Sequence, residues 1–474
     1  IFEKGDSYNI YLENTNSITI DSCLIRNSAG YGLQTLNSDL SLSNTEFTGN
    51  HDYPFYTSQP RYLPEMNNVS IYGNTEDCVA TESGTITTDK HWKYCGGVYK
   101  ILGDLHVDDP GSTCRLTLDP GITLEFDASA ELHIGDAGDD GGELYAVGTV
   151  DSIITFTSSD GSKNNWDGIY FDNASDYGGS VSLMQHCVIE NGNDYNIKLY
   201  STNSITIQDS EIRNSVSDGI YIHNSYATLQ SLDITNNGQY PIYFNNPYYV
   251  TELIDIVTSG NGEEYIAVDN GVISTDRVWR NCGTDYLLLG DLSIEKYNNV
   301  CQLTIEPGNT LRFSNGCELH IGDNGNDGGV LIAEGTVDSV ITFTSANDSI
   351  GGWDGIYLDG ASDYYGTVSV LKHCIVENSN DDNVYFRNAN NHVIDSCTVR
   401  NAVSSGIYTV NSFIDMSNLA INNNGLYPLY FNNPQYVSEL NNIVASGNNE
   451  NYIAIDNGTI STDRTWNYCQ VPYL

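Results

Sequence analysis

Residues 187–271 read as four lines of similar length: CVIENGNDYNIKLYSTNSITIQD (187–209), SEIRNSVSDGIYIHNSYATLQS (210–231), LDITNNGQYPIYFNNPYYVTEL (232–253) and IDIVTSGNGEEYIAVDNG (254–271). Each carries the same apolar beat. Ile189, Ile212, Ile234 and Val257 follow at steps of 23, 22 and 23, and Ile197, Ile220, Ile242 and Ile266 at 23, 22 and 24. Within a line the pattern alternates as a strand does, with Ile220 and Ile222 on one side and Tyr221 and His223 on the other. A short fixed period with strand alternation inside it predicts an all-β solenoid with coils of about 22–24 residues, each stacked on the one before. No segment keeps apolar residues at i, i+3, i+4 and i+7 over three turns, so no helix is expected.

A longer period lies above the coil. Trp92, Trp279 and Trp466 are spaced by 187 (279−92, 466−279), as are Cys95, Cys282 and Cys469, and Trp166 with Trp353. The chain therefore divides into a partial repeat (1–94), two full repeats (95–281 and 282–468) and the start of another (469–474), all within a single β-helix. Eight coils per repeat would advance it by about 38 Å, at about 4.8 Å per coil. Ile1 aligns with Val188, and Tyr473-Leu474 with Tyr286-Leu287, both inside the pattern. An open coil end invites pairing. The expectation is a chain that continues at both ends or stacks end to end on copies of itself.

The 474 residues include 18 basic and 62 acidic ones, for a net charge of −44. So few cations cannot neutralise phosphates, which argues against nucleic acid and anionic membranes as partners. No run of 18 apolar residues suggests membrane insertion. Charged residues make up only 17% of the chain, unlike a charged disordered tail.

An ordered series of segments carries a family resemblance: GDLSIEKYNNVCQLTIEPGNTLRF (290–313), GGVLIAEGTVDSVITFTS (328–345), WDGIYL (353–358) and LKHCIVENS (371–379). It resembles the right-handed parallel β-helix repeat proteins of the pectate-lyase-like superfamily. More narrowly, it is similar to large secreted surface proteins of bacteria of the Bacteroidetes–Cloacimonadetes type. The resemblance implies a right-handed parallel β-helix exported to the cell surface or beyond. It does not settle function, since the fold hosts lyases, hydrolases, adhesins and structural proteins.

Asn191, Asn214 and Asn236, repeated as Asn378, Asn401 and Asn423, each stand two residues after an inward position. They are expected to form a structural asparagine ladder at a coil corner, with a polar binding strip as the alternative. Two acidic glycine loops, HIGDAGDDGG (133–142) and HIGDNGNDGG (320–329), place Asp136 and Asp140, and Asp323 and Asp327, at the spacing of half a calcium loop. The bidentate glutamate of such a loop is missing; calcium is the only cofactor suggested, and a tight acidic turn is the plain alternative. Cys95 with Cys114 and Cys282 with Cys301 recur at one spacing (114−95 and 301−282, both 19), and Cys374 and Cys397 lie one coil apart, so these three pairs are disulfide candidates. Tyr240, Tyr243, Tyr248 and Tyr249, echoed by Tyr427, Tyr430 and Tyr436, offer a surface for a polysaccharide or a protein interface, or simply follow β-surface preference. Trp166 and Trp353 are expected to pack.

Catalysis is disfavoured. A polygalacturonase-type site would need Gly-His-Gly and Arg-Ile-Lys segments, and neither occurs. Asp108-Asp109, Asp139-Asp140 and Asp381-Asp382 stand without those companions. Basic residues such as Arg26, Arg213 and Arg400 recur at the repeat period, whereas an active site is usually single. The sequence points to a non-enzymatic extracellular segment of a filament, sheath or stalk. An adhesin or glycan-binding solenoid is the alternative, and a polysaccharide lyase or hydrolase stands third.

Overall fold

A computed structural model describes residues 1–136, 138–250, 252–323 and 325–474. They fall into two compact units, residues 1–243 with 255–264, and residues 244–254 with 265–474. Each is a parallel β-solenoid. Among the described residues helical structure is confined to 3-10 turns, such as Pro60–Tyr62, Pro247–Tyr249 and Pro434–Tyr436, one repeat apart. Among the described residues no helix is long and apolar enough to cross a membrane.

In the first unit the inward residues form three ladders, one per face. On the first face Leu33, Phe55, Val79, Tyr99, Leu124, Phe156, Ile189, Ile212 and Ile234 stack in succession. On the second, Leu105, Leu132, Ile169, Ile197 and Ile220 stack. Trp92, Leu118, Ala146, Met184, Ile207 and Leu229 form the third. All are buried. Alternation supplies these residues, and their burial, at about 1.5–3 kcal/mol for each large apolar side chain, is what stacking one coil on the next achieves.

Coil length is uneven. From Leu33 to Ile234 along the first face, successive residue numbers differ by 22, 24, 20, 25, 32, 33, 23 and 22 (55−33, 79−55 and onward). The coil length expected from the sequence is thus correct for the regular part only. Loops such as 159–167 lengthen the others.

The repeat also does not close on whole coils. Seven steps lead from Leu33 to Ile212, but Ile220, the counterpart of Leu33 one repeat on, lies on the second face. One repeat is therefore about seven and one-third coils, not eight, and advances about 35 Å. The second unit repeats the rule. Ile266 leads through seven steps to Ala445, while Ile453, its counterpart one repeat on, lies beside Leu429 on the next face.

The corners explain the asparagine-rich composition. Asn191, Asn214, Asn236, Asn378, Asn401 and Asn423 all have φ between +57° and +69°. That left-handed region is one asparagine tolerates better than other residues with a Cβ. These six are thus corner residues before they are a ladder. Asn191 and Asn378 are buried, Asn214 and Asn401 half-buried, and Asn236 and Asn423 exposed. A side-chain hydrogen bond links two consecutive members, with Asn401 Nδ2 donating to Asn378 Oδ1 at 3.2 Å.

The continuous buried amide ladder belongs to other residues. Asn196 Nδ2 donates to Asn237 Oδ1 (3.2 Å), and Asn237 Nδ2 to Asn261 Oδ1 (3.0 Å). Asn383, Asn424 and Asn448 repeat it at 3.3 and 2.8 Å.

Val257 is another correction. It is 58% exposed, while Ile256 is 3% exposed. A left-handed kink at Asp255 (φ +52°) resets the alternation. In the second unit Ile421 pairs with Ala445, a step of 24, and leaves Val444 outside.

Candidate functional site

The side-chain cluster richest in chemistry sits where an acidic glycine loop meets a lateral ladder of strands. Strand Glu131–Ile134 pairs with Gly168–Phe171, which sets His133 beside Tyr170 and brings Asp172, just past the strand end, to the same corner. The loop after Ile134 closes with the Asp136 N–H on the Asp140 carbonyl (3.0 Å), and its copy with the Asp323 N–H on the Asp327 carbonyl (3.1 Å). The paired glycines are required there: a Cβ on Gly142 would lie 1.8 Å from the Val107 carbonyl oxygen, and one on Gly329 1.8 Å from that of Ile294.

His133, Asp136 and Asp172 carry donor atoms that all lie within 4.8 Å of one another. His133 Nδ1 is 3.0 Å from Glu131 Oε1, and Nε2 is 3.8 Å from Asp172 Oδ2. Nε2 itself is buried without a hydrogen-bond partner. Burial pulls the imidazole down, but the Glu131 hydrogen bond and the nearby carboxylates outweigh it and raise it overall. His106 stacks on His133 at 5.1 Å. Asp108 is pushed up by burial and by Asp136 and Asp140 nearby.

The second copy builds the same corner differently. His320 Nε2 reaches Asp359 Oδ2 at 3.1 Å, and Arg387 grips both oxygens of Asp359 at 2.6 and 2.5 Å. The hydrogen bonds that the ring donates to Asp359 and Glu318 raise His320 to about 10. Burial alone would raise Asp359, but His320 and Arg387 hold it below the usual carboxylate range.

Of the four calcium candidates, Asp136 thus joins a histidine and Asp172. Asp140 and Asp327 close their loops through backbone carbonyls. Asp327 Oδ1 also takes the Asn298 N–H at 3.3 Å, and Asp323 stands near Arg387.

All eleven cysteines are free thiols in this structure. Cys95 engages Tyr99, and Cys282 engages Tyr286. The thiols of Cys114 and Cys301 donate to the Ile86 and Ile273 carbonyls, each at 3.1 Å. The recurring spacing is therefore a repeated pair of separate thiol sites here. Cys374 and Cys397 do stack one coil apart, with the Cys374 N–H on Cys397 Sγ at 3.4 Å. Burial pushes Cys114, Cys187 and Cys301 up to about 12, which keeps them from acting as nucleophiles near neutral pH.

The tyrosines stack on one another. Tyr195, Tyr221 and Tyr243 follow at 4.7 and 5.2 Å, and Tyr357, Tyr385, Tyr408 and Tyr430 at 5.4, 5.4 and 4.5 Å. Tyr240 and Tyr427 lean on Tyr243 and Tyr430. Tyr248 meets Tyr249 edge-on, and Tyr436 packs on Phe413. All seven candidate tyrosines are half-buried. A groove of about 280 Å³ has Val150, Ile153 and Val188 on its apolar side and Asp209, Glu211 and Asp233 on its acidic side. One repeat later these acids are Ser396, Thr398 and Ala420.

Two buried carboxylates lie outside these clusters. Asp218 accepts the Tyr240 N–H (2.9 Å) and Asp382 the Ser405 N–H (2.7 Å), and burial raises both to about 6. A raised carboxyl favours the protonated folded state, so its contribution is present below about pH 4 and is lost as pH rises through about 6. Asp382→Asn is expected to be more stable than the parent by about 1–2 kcal/mol at pH 8, with the difference vanishing below about pH 4. A denaturation series across that range checks it; a gain independent of pH would remove burial of the charge as its cause.

Three inward ladders, parallel pairing of successive strands and polar groups joined coil to coil define the class, an all-β parallel β-helix. Residues 146–252 match the family described as the right-handed beta helix region. No curated protein sequence matches the chain.

Proposed function

We propose that the chain is a structural segment of an extracellular filament, sheath or surface stalk, and that it performs no catalysis. The observation that supports this most is an ion pair copied once per repeat. Arg26 meets Glu3 at 2.7 Å, Arg213 meets Glu190 at 2.7 Å, and Arg400 meets Glu377 at 2.5 Å, each pair joining successive coils. These three recurring arginines are engaged in holding coil to coil. The stacked tyrosines and the buried amide ladder are placed in the same way. Each ion pair alone contributes little. Their repetition fits a role in which every repeat is equivalent.

Glycan binding is the second reading, and the groove beside Asp209, Glu211 and Asp233 favours it, because that acidic rim has no copy. Negative-stain microscopy of the concentrated protein, with and without calcium, tests the first reading. The expected result is filaments with an axial repeat near about 35 Å or a multiple of it. A monomer under all these conditions that also retains a glycan, and loses it in Asp209→Asn/Glu211→Gln/Asp233→Asn, would overturn the first reading in favour of the second.

A further inference from the structure

We propose that His133, Asp136 and Asp172 bind one divalent metal ion of the Mn²⁺ or Zn²⁺ kind, and that Arg387 closes the equivalent site one repeat later. The argument begins with the tautomer. Glu131 Oε1 lies 3.0 Å from His133 Nδ1 and accepts the hydrogen bond of an Nδ1–H, which places the ring proton there. The lone pair of a neutral imidazole then sits on Nε2, and carboxylate-anchored histidines of this kind are typical metal ligands. That nitrogen is buried and has no hydrogen-bond partner, in a side chain only 11% exposed. It points at Asp172 Oδ2 from 3.8 Å, so in the neutral ring two electron-rich atoms face each other across a gap. A positive charge between them resolves the conflict. With metal–ligand bonds of about 2.0–2.2 Å, donors on opposite sides of an ion stand about 4 Å apart. Donor atoms within 4.8 Å of one another need only a small closure to reach that.

The second copy is an internal control. His320, Asp323 and Asp359 repeat the three residues, and Glu318 repeats the anchor. There the position equivalent to Tyr200 is Arg387, whose guanidinium takes both oxygens of an Asp359 carboxylate that is 4% exposed. The corner holds a fixed cation in one copy and lacks that cation in the other, where Tyr200 instead stacks on His223 at 4.5 Å. Lys198, the nearby base in the first copy, lies over the Tyr170 ring at 4.8 Å. One imidazole with two carboxylates suits a borderline divalent ion better than Ca²⁺, which prefers an all-oxygen shell.

The test uses the full chain, stripped of metal, titrated with Mn²⁺ and followed by the loss of the free-ion paramagnetic resonance signal. Manganese is chosen because the buried thiols favour softer ions. The expected result is one site per chain. His133→Ala and Tyr200→Arg should each weaken it more than tenfold, and His320→Ala should leave it unchanged. Arg387→Tyr should raise the count to two. Tyr200→Arg removes no ligand, and circular dichroism shows whether it is folded, so loss of binding there is not a folding artefact. Absence of a site in the parent, equal binding by His133→Ala and Tyr200→Arg, or displacement by Ca²⁺ that ignores His133 would overturn the proposal. A count that stays at one in Arg387→Tyr would overturn the role given to Arg387.

Discussion

Trp166→Ala and Trp353→Ala are each expected to cost about 4–5 kcal/mol. Both indoles are fully buried. Trp166 stacks on Phe126 at 4.6 Å and donates Nε1 to the Glu190 carbonyl at 2.8 Å. Trp353 stacks on Phe313 at 4.5 Å and donates to the Glu377 carbonyl at 2.8 Å. Removing a buried aromatic costs about 3–5 kcal/mol through lost transfer energy and the cavity left behind. The orphaned carbonyl adds about 1 kcal/mol more. Because the two surroundings are copies, the two losses should agree within about 1 kcal/mol. Tryptophan→phenylalanine keeps the stack and loses only the hydrogen bond and part of the volume, so it should cost about 1–2 kcal/mol. Urea unfolding followed by circular dichroism measures all four. Alanine variants within about 1 kcal/mol of the parent would show that the loops bearing these residues do not close the core.

Asn237→Ala is expected to cost about 4 kcal/mol although no apolar contact is its main loss. Asn237 Oδ1 accepts from the Ser215 N–H (3.0 Å), from Ser215 Oγ (2.9 Å) and from Asn196 Nδ2 (3.2 Å). Its Nδ2 donates to Asn261 Oδ1 (3.0 Å) and the Ile212 carbonyl (3.3 Å). Truncation leaves several of these buried groups unsatisfied at once, each at about 1–3 kcal/mol before relaxation. Asn424 is the copy, but Ala402 stands where Ser215 does, so its Oδ1 receives the Ala402 N–H (3.0 Å) and no hydroxyl. Asn424→Ala should therefore cost about 1 kcal/mol less than Asn237→Ala. Equal losses, or a loss below about 1 kcal/mol at Asn237, would mean that water replaces the side chain and that the amides are not a stabilising ladder.

The coil was legible because its signals are local. Ile189, Ile212 and Ile234 do stack as their spacing implies, and alternation assigns their neighbours outward. What was hidden depends on backbone sign or on lateral pairing. The pairs Asn236-Asn237 and Asn423-Asn424 look interchangeable in sequence. A positive φ puts the first of each at the corner, and the second turns into the core. Asp255 hides the shift that exposes Val257 in the same manner. Cys95 and Cys114 suggested a bridge by spacing alone, and spacing does not report which thiol meets Tyr99. His133 and Asp172 are distant in the chain, and only the pairing of Glu131–Ile134 with Gly168–Phe171 brings them together. One signal was available: aligning the copies sets Tyr200 against Arg387, an exchange of a neutral ring for a cation on an otherwise preserved background.

The extra third of a coil in each repeat resembles the placing of leaves around a stem. A feature borne once per repeat comes out on a new side each time and returns to its first side only after three repeats, or about 22 coils and about 105 Å. A groove-type enzyme needs the opposite, with its groups gathered on one side. Spiral placement sets successive copies of a motif on different walls. It also frees duplication from the coil: a copied segment need not be a whole number of turns, provided that each of the three walls accepts the sequence of its neighbour. The Leu33 and Ile220 segments, alike in sequence and set in different walls, show that these walls do.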